Sequence, residues 1–263
     1  LIVYALTEDE ASPKKTLDGV DYCGALIDED KNRAYLVYED RFDILDYTNC
    51  SIIDSIPYNL EGYAASPTSE LKLSDDAGML AIEINEGVGI SRDSRLLIYD
   101  TIDGIQLNNI DLDYSYVNGI VFDNDKVYVV NNADNNEYEE DEDISLSYDA
   151  RLVGNVSAYN VNATAKLWEY EREGQWFDEV NIARAEGSDI MAVAGYADLT
   201  TLSKTTGEVI DNYSFGSEVV RLGNYVNTNN FMVITRDEEW HYLAADRKED
   251  LVTGKFTNQT SNN

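Results

Sequence analysis

The sequence predicts an all-β protein built from repeated antiparallel hairpins. Three observations support this prediction. Apolar segments of strand length alternate with polar turns along the chain, two hairpin motifs recur in alternation, and no segment shows a helical period of comparable strength. Only 3 prolines occur, so Gly, Asn and Asp must supply most turns.

The first hairpin motif is an apolar strand, a small or acidic residue, a polar turn and a second apolar strand. It is clearest in RLLIYDTIDGIQL, which begins at Arg95. Similar segments begin at Leu1, Phe42, Val156, Leu199 and Trp240. The copies recur at steps of roughly 40 to 60 residues, and strand-built repeats of about 40–45 residues are typical of β-propellers.

A second hairpin motif alternates with the first. Its copies begin at Gly24, Leu71, Ile120, Ile182 and Arg221, each just upstream of a copy of the first motif. Two hairpins in tandem make a four-stranded antiparallel sheet, which is one propeller blade. The sequence therefore predicts five whole blades and an N-terminal half blade.

We expect one β-propeller domain over residues 1–256, followed by a polar tail at 257–263. The half blade is 1–17, and the whole blades are about 18–58, 62–112, 114–173, 178–215 and 216–256. The segment Asn131–Asn155 is predicted to be an insertion between the second and third strands of one blade.

Ring closure is a separate expectation. The half blade has two strands and the last blade already has four, so we expect that these residues do not close a regular ring by themselves. A strand at Leu1–Leu6 paired with the final blade would contradict this expectation.

The hairpins resemble a known superfamily. VSAYNVNATAKLWEYE, from Val156, is similar to the strand–turn–strand units of quinoprotein-like blades, and the whole pattern resembles the quinoprotein, WD40 and YVTN propellers. This resemblance covers nearly the whole chain and implies that Trp168 packs between blades. The WD dipeptide is absent, and Tyr99-Asp100 is its nearest match. The resemblance implies the fold and little about activity.

The chain is strongly acidic, with 51 acids, 19 bases and a formal charge of −32. Such a surface repels phosphate backbones and anionic lipids, so we expect neither nucleic acid nor a membrane surface as partner. No apolar run approaches the roughly 18 residues of a membrane span. The charge alone is explained by a solubilising surface with no specific ligand; if a partner exists, we expect a protein or small ligand, with basic proteins and divalent cations favoured. The acidic run Glu137–Asp143 is either a solvated segment or a place that recruits calcium or a basic partner.

One candidate ligand site lies in the connections between blades, which in a propeller open onto the central channel. These connections contain Asp18, Glu61, Asp113, Asn118, Asp178, Glu179 and Glu218. Lactonase-like propellers hold a catalytic calcium ion in a comparable ring, and that likeness implies Glu61, Asn118, Asp178 and Glu218 as ligands. A chain this acidic would also place carboxylates in most loops by chance.

A second candidate metal site is the string DEDKNRAYLVYE, from Asp28. Asp28, Asp30 and Asn32 match positions one, three and five of a calcium loop, and Glu39 matches position twelve. Position six is Arg33, where the loop needs glycine for a sharp turn. The sequence therefore favours an ordinary hairpin turn here.

A third candidate is an aromatic face for a protein or a sugar. It would contain Trp168, Tyr170, Trp176 and Phe177, although packing between blades also explains Trp168.

Residues for catalysis are few. His241 is the only histidine and lies within a predicted strand, so no nucleophile–histidine–acid arrangement can be argued. Cys23 and Cys50 are expected to be free, buried thiols, with one disulfide between them as the alternative. The first hypothesis is a non-catalytic binding module of a larger, bacterial, extracytoplasmic protein. Five blades without a catalytic set favour the binding module, the missing initial Met favours a larger protein, and the acidity and the Asn and Tyr content favour an extracytoplasmic location. The alternative is a calcium-dependent, lactonase-like hydrolase that uses the channel carboxylates.

Overall fold

The computed structural model describes residues 2–6, 11–16, 21–86, 93–134, 152–172, 182–224, 230–244 and 250–255. Every regular element in these ranges is a β-strand. No helix in this part of the chain has the length and apolar character needed to cross a bilayer. The chain divides into two compact units, Leu1–Tyr114 and Ser115–Asn263.

The first unit contains a hairpin and two blades. The hairpin pairs β1 (Ile2–Leu6) with β2 (Ala11–Thr16). The first blade consists of β3 (Gly24–Asp28), β4 (Arg33–Val37), β5 (Arg41–Asp46) and β6 (Ser51–Pro57). The second blade consists of β7 (Leu71–Leu73), β8 (Met79–Glu86), β9 (Asp93–Asp100) and the first part of β10 (Gln106–Asp123).

The second unit contains three blades. In the third blade, β10 from Ser115 onward pairs with β11 (Lys126–Asp134), which is followed by β12 (Leu152–Asn160) and β13 (Lys166–Arg172). The fourth blade consists of β14 (Ile182–Arg184), β15 (Ile190–Ala194), β16 (Asp198–Ser203) and β17 (Val209–Ser214). The fifth blade consists of β18 (Val219–Asn224), β19 (Asn230–Thr235), β20 (Glu239–Ala244) and β21 (Asp250–Lys255).

The predicted fold class is confirmed. All five blades are four-stranded and antiparallel, with their strands in sequence order, as in a β-propeller fold. The opening segment is a two-stranded hairpin in which Ile2–Leu6 takes Ala11–Thr16 as its partner. Ring closure stays a prediction.

The inner strands are apolar on both faces because blades pack face to face. In the first unit, Tyr35 and Phe42 of the first blade share a core with Ile82 and Tyr99 of the second. The rings of Phe42 and Tyr99 meet edge to face, with centroids 4.8 Å apart. In the second unit, Tyr128 of the third blade belongs to the same core as three buried residues of the fourth, Met191, Val193 and Leu202.

The last strand of every blade contains one extra residue at the same place. The register to the preceding strand shifts by one, which leaves an unpaired apolar residue near the start of the last strand. These bulge residues are Ile53, Leu107, Leu167, Ile210 and Leu251. The bulge recurs at the same position in every copy of this hairpin, so it is part of the repeated motif.

Candidate functional site in the first blade

A cleft of about 260 Å³ lies at one end of the first blade. At this end β3 begins, β4 ends, β5 begins and β6 ends, so the sheet topology brings together segments that are distant in sequence. The cleft is lined by Asp21, Tyr22, Cys23, Tyr38, Glu39, Asp40, Arg41 and Pro67. Pro67 belongs to the connection between the first and second blades, the kind of segment in which the sequence predicted a ligand site.

The turn between β4 and β5 is held rigidly. Tyr38 N–H donates to the carbonyl of Arg41 at 2.8 Å, which closes the turn. The buried hydroxyl of Tyr58 reaches the carbonyls of Tyr38 and Arg41 at 2.9 and 2.8 Å. Burial raises the pKa of Tyr58, so its hydroxyl stays protonated and remains a hydrogen-bond donor to the turn. The cleft therefore has a fixed floor.

Arg41 lies across the floor of the cleft. Its guanidinium carbon is 4.3 Å from the centre of the Tyr38 ring. Its Nη1 is 3.0 Å from Asp40 Oδ1 and its Nε is 3.3 Å from Asp43 Oδ1. Asp43 is only 2% exposed and also accepts a hydrogen bond from Ser55 Oγ at 2.7 Å. Two carboxylates and one ring therefore already satisfy the charge of Arg41.

The thiol of Cys23 lines the cleft beside these charges. Its Sγ donates to the carbonyl of Ala65 at 3.4 Å. Burial raises the pKa of Cys23, and the charges of Glu39 and Asp21 raise it further. The thiol is therefore protonated near neutral pH and is a poor nucleophile.

The charge balance of the cleft favours a cationic ligand. Asp21, Glu39 and Asp40 are exposed carboxylates on its lining, and Asp43 lies behind them, whereas Arg41 is the one base among the lining residues. Within the described residues, no hydrogen bond or ion pair engages the side chain of Asp21 or Glu39. The cleft can attract and hold a cation.

The channel residues predicted from the sequence are distributed over both units. Glu61 lies in an exposed turn of the connection between β6 and β7, outside the cleft lining. Asn118 is the extra residue of a bulge in β10. Glu218 is neutralised by Arg236, with 2.6 Å between Oε1 and Nη2. Asp18, Asp178, Glu179 and the side chain of Asp113 lie outside the described residues, so the channel site stays a prediction.

The calcium-loop string forms a hairpin turn between β3 and β4, as the sequence favoured. Asp28 Oδ1 accepts the Lys31 N–H at 3.1 Å, and Asn32 adopts a φ of 53°. Glu39 lies past the far end of β4, about 20 Å away at the rise of a β-strand, so it cannot complete a loop with Asp28, Asp30 and Asn32. In the described part of the chain, no three Asp, Glu, His or Cys side chains are grouped to hold a metal.

The predicted aromatic face is partly used for packing. Trp168 Nε1 donates to the carbonyl of Lys204 at 3.0 Å, and its ring lies 5.8 Å from that of Tyr128. Trp168 therefore packs between the third and fourth blades, which confirms what the resemblance implied. Tyr170 packs against the same core. Trp176, Phe177 and the acidic run Glu137–Asp143 lie outside the described residues, so their binding roles stay predictions.

The remaining sequence candidates occupy ordinary positions. The two cysteines form no disulfide with each other; Cys50 is buried, as expected, whereas Cys23 is only half-buried. His241 lies within β20 and packs against the Phe215 ring, with centroids 4.8 Å apart.

Sequence reasoning missed most of the cleft. Asp40, Arg41 and Tyr38 form the turn YEDR between two apolar strands, and that mixed-charge turn was the available signal. A buried acid was also missed: Glu83 in β8 is 0% exposed, and its Oε2 accepts the Glu70 N–H at 2.9 Å. The only signal for this buried acid in the sequence was its position inside the apolar run LAIEI.

The comparisons with known proteins identify the fold. No family model matches the chain, and no curated protein matches it. Among solved structures, it is similar to hydrazine synthase from Kuenenia stuttgartiensis, a β-propeller-containing protein, with a TM-score of 0.59 and 12% sequence identity. The match covers 81% of this chain and 68% of that chain. The fold is therefore of the β-propeller type, and at this identity the likeness carries no activity across.

Proposed function

We propose that this chain is a non-catalytic binding module that recognises a basic protein partner, within a larger, extracytoplasmic bacterial protein. A propeller-type fold is a suitable scaffold for binding, because its turns present side chains from a rigid framework. The observation that carries the proposal is the cleft of the first blade, in which free carboxylates lie over a fixed floor.

The charge of the chain supports a basic partner in two ways. The formal charge of −32 draws cationic proteins toward the whole surface and speeds their encounter. The cleft then supplies a local position where a basic side chain can be held. Its protonated thiol and its neutralised arginine make a catalytic role for the cleft a poor alternative.

The test compares variants of equal charge. The cleft variant is Asp21→Asn/Glu39→Gln, and the control is Glu29→Gln/Asp30→Asn, which removes two exposed acids from the opposite end of the same blade. The probe is a fluorescent peptide of alternating Lys and Ser, titrated by anisotropy at physiological salt. We expect the cleft variant to weaken binding several-fold more than the control. Equal weakening would mean diffuse surface attraction and would refute the proposal.

A calcium test separates the proposal from the hydrolase alternative. A tightly bound ion stabilises the folded state by mass action, so its removal lowers the melting temperature. We expect the same melting temperature in calcium and in EDTA. A lower value in EDTA would favour the calcium-dependent enzyme.

A further inference from the structure

We propose that the first-blade cleft receives a lysine ammonium group, in preference to an arginine guanidinium; this inference rests on the proposed function. It names the chemical group by which a basic partner would be recognised.

The size of the cleft favours one side chain. Small-molecule pockets usually enclose about 300–1,000 Å³, whereas this cleft holds about 260 Å³. The space suits one long side chain inserted from a partner surface. The rings of Tyr22 and Pro67 line it, and these can cover the aliphatic stem of such a side chain.

The chain itself already supplies a guanidinium to this cleft. Arg41 covers the Tyr38 ring and engages Asp40 of the turn and Asp43 of β5, so this ring face and both carboxylates are already engaged. A second guanidinium would find this stacking position occupied, and bidentate pairing would hold it to one carboxylate at a time. Arg41 therefore disfavours arginine as the incoming group.

The carboxylates left over suit an ammonium group. Asp21 and Glu39 come from two different segments, and within the described residues neither is engaged by a hydrogen bond or an ion pair. An ammonium is a compact charge with three donors that can point to separate acceptors. It can contact both carboxylates without the planar match that arginine requires.

The experiment titrates the whole chain with three amino-acid probes, followed by NMR. The probes are the Nα-acetyl methylamides of lysine, arginine and norleucine. We expect the lysine probe to bind about fivefold more tightly than the arginine probe, and the neutral norleucine probe not to bind. Glu39→Gln should weaken lysine binding roughly tenfold, since it removes a charge-assisted hydrogen bond. Asp21→Asn should act in the same direction, and the control Glu29→Gln should change nothing.

The outcomes separate the two proposals. Equal affinities for lysine and arginine, both reduced by Glu39→Gln, would overturn the lysine preference and leave the basic-partner proposal standing. Binding that Glu39→Gln and Glu29→Gln reduce equally, or no binding of any probe, would overturn the cleft as the site. Melting curves of each variant confirm that the fold is intact.

Discussion

Two seams between blades use the same backbone positions and different side chains. The first seam joins the first and second blades, and the second seam joins the third and fourth. Asp28 and Asp123 occupy equivalent places, each opposite the first residue of the next strand, Arg33 and Lys126 respectively. Both carboxylates are largely buried, so each needs a cation.

The two aspartates find their cations differently. Asp28 pairs at 3.5 Å with Lys31 of its own turn, and Lys31 Nζ reaches the second blade at the carbonyls of Asp76 and Ala77. Asp123 pairs directly across its seam, with Lys204 at 2.7 Å and Arg184 at 2.9 Å. The first seam is thus partly solvated, whereas the second contains a buried ion cluster.

A backbone carbonyl at the same position of the repeat accepts a hydrogen bond at each seam. Thr101 and Lys204 hold the same place in the turn before the last strand of their blades. Arg33 Nη1 donates to the Thr101 carbonyl at 2.9 Å, and Trp168 Nε1 donates to that of Lys204 at 3.0 Å. The repeat fixes where the backbone offers an acceptor, and the local sequence decides which donor meets it. Equivalent positions therefore should not contribute equally to stability.

The largest expected difference is between Asp123→Asn and Asp28→Asn. The first change leaves Lys204, whose side chain is 10% exposed, without its carboxylate, and should cost about 3 kcal/mol of unfolding free energy. The second should cost about 1 kcal/mol, because the Lys31 side chain is 33% exposed and water can replace its partner. Urea denaturation measures both. Equal costs would show that the two seams are energetically alike.

Trp168→Ala should have the next largest effect. It removes ring packing and the bond to Lys204, at a cost of about 2–3 kcal/mol for this half-buried side chain. Trp168→Phe is the matched control, because it keeps most packing and loses the donor. Gly207, with a φ of 74°, lies so close that an added Cβ would be 2.5 Å from the Trp168 ring. Gly207→Ala should therefore be destabilising in either background because of its positive φ, and more so while Trp168 is present.

Arg33→Ala tests the corresponding bond at the first seam. Loss of the bond to Thr101 should cost about 1 kcal/mol, the usual net value of one hydrogen bond. Lys126 holds the equivalent position in the third blade, and its side chain makes no hydrogen bond or ion pair within the described residues. Lys126→Ala is therefore expected to be neutral in the same urea experiment. If Arg33→Ala left the unfolding free energy unchanged, the hydrogen bond from Arg33 to Thr101 would not stabilise the first seam.

The smallest effects are in pH dependence and have opposite signs in the two units. Burial raises the pKa of Glu70, with Lys72 opposing, so its ionisation destabilises the folded state and stability falls as pH rises through that window. Glu70→Gln should raise the neutral-pH urea midpoint, and the gain should vanish below about pH 4, the ordinary range of glutamate.

Asp189 in the second unit should behave in the reverse way. Burial opposes its ionisation, but hydrogen bonds from Ser203 and Thr205 outweigh burial and lower its pKa. Its stabilising contribution is present above the ordinary aspartate pKa and is lost as pH falls through the lowered value. Asp189→Asn should lower the neutral-pH midpoint, with the loss disappearing in acid. The same sign for both variants would contradict this account.

The sequence was sufficient for the fold and insufficient for the cleft. Hairpin repeats appear in the sequence as alternating apolar runs, so they can be recognised from local segments. The packing of Trp168 between blades could be predicted in the same way, from its place at the end of such a run. The cleft combines Cys23, Glu39 and Pro67 from three segments, so it exists only after the sheet has formed. In a chain with 51 acids, no local pattern distinguishes Asp21 from any other carboxylate. Glu83 was missed because strand periodicity does not report burial.

The repeated bulge bears on how these molecules behave when crowded. Among the described strands, β6, β13, β17 and β21 each end a sheet, and their outer edges have no described strand as partner. Such edges present a row of backbone donors and acceptors on which fibres can grow. A single inserted residue twists that row and breaks its ladder near its start. Ile53, Leu167 and Ile210 are exposed there, so their side chains would be sticky on a flat edge. Deleting any one of them would straighten the edge, and the bulge thus works against stacking of neighbouring molecules.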